Sequence, residues 1–130
     1  MDSNYKAYAA GLFDGEGSIY MTGHNHNSTV TVKVTNTNLD LCRIYLKWGG
    51  TINNIKTYNN LQKHQLYRWC LYGRAALPFL EDLEGYLIAK ARLAHEAIVY
   101  LKQKNYLLVG SIEATQRFRV AEEIYRLNSL

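Results

Sequence analysis

Proline occurs once in this chain, at Pro78, so little in the sequence interrupts helix or strand by removing a backbone donor. Cysteine occurs twice, at Cys42 and Cys70, without the density of a disulfide scaffold or the paired spacing of a structural metal site. Two buried, reduced thiols of an intracellular protein are the expected state. No apolar run approaches the roughly 20 residues that a membrane helix needs, so no membrane partner is expected. The opening MDSNYKAY lacks the basic segment and apolar stretch of a secretory signal. Linkers and low-complexity runs are missing as well, which leaves one domain, residues 1–130, as the expected organisation. Apolar residues make up 48% and charged residues 20%, which excludes wholesale disorder and gives enough material for a core.

Acidic residues are scarce in the middle of the chain. Between Gly17 and Leu80 the basic residues are Lys33, Arg43, Lys47, Lys56, Lys63, Arg68 and Arg74, and Asp40 is the single acid. The net charge of +4 is therefore concentrated in this segment, whereas the flanks are slightly acidic. One positive face is the pattern expected of a polyanion binder; a solvated basic sheet surface is the plain alternative.

The apolar patterning predicts a short helix over Tyr5–Phe13, ended by Asp14-Gly15, with Ala9, Ala10 and Gly11 forming a small-residue patch suited to close approach of another backbone. Ser18–Thr22 and Thr29–Thr35 read as a hairpin around the polar cluster 23–28, with Val30, Val32 and Val34 on its buried face. Asn38 caps a helix running to Trp48 whose apolar positions are Leu39, Cys42 and Leu46, and Gly49-Gly50 stops it. A second hairpin pairs Thr51–Tyr58 with Lys63–Tyr72 across Asn59-Asn60; Tyr67, Trp69 and Leu71 are the more plausible buried set, although periodicity leaves the face open. Helices follow at Arg74–Leu83, along Leu87, Ala91, Ala94, Ile98 and Leu101, and from Ser111 to about Leu127. The fold class expected is α+β: an αββαββα order giving a curved, four-stranded antiparallel sheet with helices on one face.

The run AAGLFDGEGSI, Ala9 to Ile19, carries the most specific signal. It resembles the motif of the LAGLIDADG homing endonucleases: a small-residue helix, an acid-Gly-acid-Gly turn, then a strand. Ala9 stands where leucine is usual, and Glu16 stands where the family has its metal-binding Asp or Glu. The segments Asn36–Asp40 with Gly49-Gly50, LPFL, and YLIAK ending at Lys90 look like the family's later elements, so the resemblance covers most of the chain.

That resemblance implies a site-specific, metal-dependent endonuclease of the single-motif type, acting as a homodimer on long, nearly palindromic double-stranded DNA. Relatives leave short 3′ overhangs and are encoded in mobile introns or inteins; the host compartment stays open between organelle, phage and prokaryote. Glu16 and the Gly15 carbonyl are the implied metal ligands, for Mg²⁺ or another divalent cation. The unpaired carbonyls at a helix end add their partial negative charge to the Glu16 carboxylate there, and an oxygen-rich, hydrated site suits Mg²⁺. Lys90 matches a position that supplies a basic group near the scissile phosphate, and Asn36 one that orients water. A solvated lysine and a helix-entry asparagine are their plain alternatives. Asp14 is expected to cap or hydrogen-bond locally, and Asp40 falls where some relatives carry a basic residue. The implied dimer crosses its first helices at Ala9, Ala10, Gly11 and Phe13.

A twisted antiparallel ribbon fits the major groove of DNA. With the valines as core, the groove-facing candidates are Tyr20, Thr22, Thr31, Lys33 and Thr35 from the first hairpin. Those of the second are Asn53, Lys56, His64, Arg68 and Tyr72, and the turn supplies His24, Asn25 and His26. Arg68 and Lys33 suit guanine and Asn53 suits adenine; the His24-x-His26 pair lacks a third metal ligand. Two rival readings stand beside the nuclease: a non-cleaving nucleic-acid binder of the same fold, such as an intron maturase or regulator, and a ligand-binding or structural α+β domain.

Overall fold

A computed structural model describes residues 1–22, 28–55, 65–103, 123–124 and 126–128. The chain opens with helix α1 (Ser3–Glu16), capped by the Asp2 side chain, which accepts the Tyr5 N–H at 2.7 Å. Strand β1 (Gly17–Thr22) follows without a loop, and β2 (Thr29–Asn36) pairs with it antiparallel, Ile19 opposite Val32. A short helix α2 (Leu39–Arg43) tightens into a 3-10 turn over Ile44–Trp48. Strands β3 (Thr51–Ile55) and β4 (Leu66–Tyr72) complete an antiparallel sheet of order β1-β2-β4-β3. Helices α3 (Ala76–Leu83) and α4 (Ala91–Lys102) follow, with a 3-10 turn at Glu84–Tyr86 between them.

The alternation of β2 decides how the sheet is used. Val30, Val32 and Val34 are fully buried, and the register sets Val32 opposite Leu71 and Val34 opposite Trp69. These residues join Ile19 and Met21 on the face covered by α1, α3 and α4. The centre of the core is aromatic: Tyr45 stacks on Trp69 at 4.9 Å between ring centroids, and Phe79 meets Phe13, Trp48 and Trp69 edge-on at 5.1 Å each. Such tilted pairs add to the area they bury, because ring edges and faces carry opposite partial charge.

Several expectations are corrected here. Helix α1 does not stop at Asp14-Gly15 but runs through Glu16, since neither residue adopts the left-handed geometry that ends a helix. Gly17 has extended backbone, and its lack of a side chain serves packing: a Cβ there would collide with the Phe13 ring. In the Asn38–Trp48 segment Tyr45, not Leu46, is buried, and Leu46 is 43% exposed. With three residues per turn in the 3-10 segment, positions 42, 45 and 48 align, where an α-helical reading aligns 42 with 46. The second hairpin is described over Thr51–Ile55 and Leu66–Tyr72, and the rest of its expected span, 56–64, lies outside the described residues. The helix expected over Ser111–Leu127 lies mostly outside them, though Glu123, Ile124 and residues 126–128 are helical and Ile124 is buried.

Candidate nucleic-acid interface and carboxylate site

Because side chains alternate across a strand, the valine face leaves a second sheet face away from the described helices α1, α3 and α4. The register places Tyr20, Thr31 and Tyr72 in one row across it, Ser18, Lys33, Cys70 and Thr51 in the next, and Thr35, Arg68 and Asn53 in a third. Of the groove-facing candidates the structure thus gathers Tyr20, Thr22, Thr31, Lys33, Thr35, Asn53, Arg68 and Tyr72 on one surface. Lys56, His64, His24, Asn25 and His26 lie outside the described residues. Strand positions on this face bring two cations, Lys33 and Arg68, and no acid. Lys33 Nζ rests 5.0 Å from the centroid of the Tyr20 ring, and Arg68 Nε donates to Thr35 Oγ1 at 3.4 Å.

Thr31 needs correction as a contact residue. It is fully buried, flanked by Tyr20 and Tyr72 in its own row, with its hydroxyl 3.2 Å from that of Thr22. Tyr72, 57% exposed, is the accessible member of that row.

The second feature lies where α1 ends. Glu16, exposed, is the last residue of the helix, and its Oε2 accepts from Asn36 Nδ2 at 3.5 Å. The Asn36 Oδ1 takes the Asn38 N–H at 2.8 Å, which fixes the amide with its donor end toward Glu16. The last turn of α1 holds no basic residue, so two carboxylates, Asp14 and Glu16, stand at the helix end whose carbonyls already repel them. Asp14 is compensated, and not locally as expected. Its Oδ2 accepts the Ile88 N–H at 2.7 Å and its Oδ1 the Lys90 N–H at 3.0 Å, while Lys90 Nζ donates to the Asp14 carbonyl at 2.7 Å. Asn36 thus meets Glu16, and Lys90 reaches the same end of α1 through the Asp14 carbonyl. Asp40 pairs instead with Arg43 at 3.1 Å.

The interface assigned to α1 is also corrected. Ala9, Ala10 and Phe13 are fully buried in this chain's own core and present nothing to a partner; Tyr45 OH even donates to the Ala9 carbonyl at 2.8 Å. The exposed strip is Ala7, Tyr8, Gly11 and Gly15, with Tyr8 59% exposed. Helical period explains the misassignment: the motif's small residues wrap around the helix, and only every third or fourth one faces outward. A Cβ added at Gly11 or Gly15 would meet nothing within 4 Å. Next to this strip, where Asp14 holds the chain, Ile88 is 87% exposed, and no periodicity in YLIAK marks it.

Among the described residues no group of three His, Cys, Asp or Glu side chains lies together in a way that could hold a metal ion. The donors at the α1 terminus are oxygens of the kind hard dications prefer, yet one carboxylate is only part of a site. Among the described residues, too, no helix is long and apolar enough to cross a membrane.

No protein-family model matches the sequence, and no curated protein matches it. Solved structures do. The homing endonuclease I-CvuI, solved in complex with a DNA target, superposes with a TM-score of 0.72 at 20% identity over 94% of this chain and 80% of its own. The archaeal intron-encoded homing endonuclease I-Vdi141I, complexed with DNA, gives 0.68 at 17% identity over 97% and 86%. The group I intron-encoded homing endonuclease I-CeuI, also complexed with DNA, gives 0.71 at 15% identity over 95% and 67%. This chain has the homing-endonuclease fold: a four-stranded antiparallel sheet with its helices on one face.

Proposed function

We propose that the chain is a LAGLIDADG-type homing endonuclease that dimerises through the exposed strip of α1 and makes a divalent-metal-dependent double-strand break in a near-palindromic DNA site. The observation that carries this reading is the pairing of Gly11 and Gly15 with Glu16. Gly11, in the helix interior, costs about 0.8–1.0 kcal/mol relative to alanine, and among the described residues nothing would meet a Cβ at Gly11 or Gly15. A second backbone approaching that face requires the Cβ to be missing. An identical α1 in that place brings a second Glu16 to the first, and two carboxylates make the site that one leaves incomplete.

In this reading the outer face of the sheet lies in the major groove. Arg68 offers its terminal N–H groups to guanine acceptors, Asn53 suits adenine, and Lys33 and Tyr72 reach bases or phosphates. At the α1 termini the Glu16 carboxylates and Gly15 carbonyls would hold Mg²⁺ or another divalent cation, which when bound would neutralise phosphate charge and ease deprotonation of the attacking water. Asn36 holds the Glu16 carboxylate in orientation and, having an N–H to share, orients water. Lys90 supplies positive charge toward the scissile phosphate, where stabilising developing charge is worth most.

A non-cleaving nucleic-acid binder with this fold is the second reading, and retention of Glu16 at an otherwise unfavourable helix position speaks against it. Selection of cut sites from a random DNA duplex library in Mg²⁺ separates the two. Enrichment of sites with two-fold symmetry supports the nuclease; binding without any strand scission selects the alternative.

A further inference from the structure

Asp14 is a motif residue with no part in the metal site outlined above, yet it makes the densest set of long-range hydrogen bonds around Lys90. Its carboxylate accepts the Ile88 and Lys90 backbone N–H groups at 2.7 and 3.0 Å, and its own carbonyl accepts Lys90 Nζ at 2.7 Å. Lys90 is the N-cap of α4 and provides no side-chain cap of its own. The two helix ends therefore compensate each other. A carboxylate from the C-terminal turn of α1 occupies the N-terminus of α4, where negative charge is favoured. The ammonium from the α4 N-cap occupies the C-terminus of α1, where positive charge is favoured. Local capping requires neither contact, since the partners are more than seventy residues apart in sequence.

We infer that Asp14 is the positioning residue for Lys90: it fixes both the backbone and the ammonium of Lys90 at the end of α1 that carries Glu16, so that the charge stands ready where the phosphate is cut. This rests on the nuclease reading. A lysine has four rotatable side-chain bonds and is otherwise free to stay in water. Anchoring its backbone from one Asp14 oxygen and its amine from the Asp14 carbonyl removes most of that freedom before DNA arrives, and misplacement of a reacting group by about 1 Å can cost on the order of 100-fold in rate. Asp14 itself touches neither DNA nor metal in this arrangement.

The test is a double-mutant cycle on single-turnover cleavage of a selected site, with DNA affinity measured in parallel, for Asp14→Asn, Lys90→Met and the pair. The expected result is a rate loss of about 100-fold for Asp14→Asn, with DNA affinity within about threefold of the parent. In the Lys90→Met background, Asp14→Asn is expected to add almost nothing further. Equal losses in both backgrounds mean that Asp14 merely supports the fold and overturn the inference, as does parental cleavage by Asp14→Asn. If Asp14→Asn does not fold, Asp14→Glu, which retains the charge between the helix ends, takes its place with the same expected and contrary outcomes. A parent protein that cuts no site overturns the nuclease reading together with this one. A parent that cuts while the cycle is additive overturns this one alone.

Discussion

Asn36 Nδ2 and Glu16 Oε2 lie 3.5 Å apart, joining the end of β2 to the end of α1. Because the other end of the Asn36 amide is held by the Asn38 N–H, the contact has a direction: a donor faces the carboxylate. Glu16 sits against the negative pole of its own helix, whose last turn holds no basic residue, and the Lys90 ammonium that reaches this pole is engaged by the Asp14 carbonyl. Such a position costs stability and is the kind of local conflict that function retains. Glu16→Gln is therefore expected to abolish cleavage, preserve DNA binding and stabilise the fold by about 0.5 kcal/mol. A thermal melt beside a cleavage assay checks this; a destabilised variant would show that the carboxylate serves the fold.

Gly11 separates chain stability from assembly. Since a Cβ there meets open space within the chain, Gly11→Ala should raise the helix propensity of α1 by about 0.8–1.0 kcal/mol. In a dimer whose helices cross at this position the same methyl group intervenes, so the dimer should dissociate at lower dilution. Sedimentation at graded concentrations, read with denaturant unfolding of the monomer, measures both; a variant that dimerises as well as its parent places the interface elsewhere.

Arg68 and Lys33 are expected to differ in kind. Arg68 is steadied by Thr35 and free to fork onto a base edge, so Arg68→Ala should relax selection at one base pair per half-site, by about 1–3 kcal/mol of discrimination. Lys33→Ala should leave the selected sequence nearly unchanged. If Lys33 neutralises a phosphate, its removal should lower the salt dependence of binding by about one unit of slope per subunit. Site selection and a salt titration distinguish the two roles.

Tyr45 gives the fold a limit at high pH. Burial, ahead of smaller repulsions from neighbouring groups, holds its phenol well above the ordinary tyrosine value of 10.0. Above pH 10 the unfolded chain releases that proton while the folded chain keeps it. The unfolded state then binds fewer protons and stability falls as pH rises; below pH 10 the contribution is complete. Tyr45→Phe should lose about 1 kcal/mol at neutral pH with the Ala9 carbonyl hydrogen bond, yet show a shallower decline above pH 10. Chemical denaturation from pH 7 to 11 is the measurement, and parallel curves for the two proteins would contradict it.

Where a short-range rule governs, the sequence was readable. Alternation in TVTVKVT named the buried valines and hence Lys33 and Thr35 on the opposite face, and Glu16 stood out through the motif that its run resembles, whereas periodicity left the face of Arg68 open until the register was seen. What escaped was set by three-dimensional packing. No local pattern says that residues 44–48 tighten to a 3-10 turn, which exchanges Leu46 for Tyr45 in the core. The small residues of α1 were visible, but which of them face inward depends on where the sheet lies, so Ala9 and Ala10 went to the core and Gly11 and Gly15 to the surface. Asp14 finds its partners across the chain at Ile88 and Lys90, a contact that spacing cannot reveal.

The central claim is that two chains each bring one Glu16 to a shared site. Dimers reassembled from mixtures of parent protein and Glu16→Gln test it most directly, with total strand scission, single-strand nicks included, measured against the parent fraction at constant total protein. Shared sites require both carboxylates, so cleavage should rise as the square of the parent fraction. A linear rise, the signature of chains that cut independently, would contradict the account.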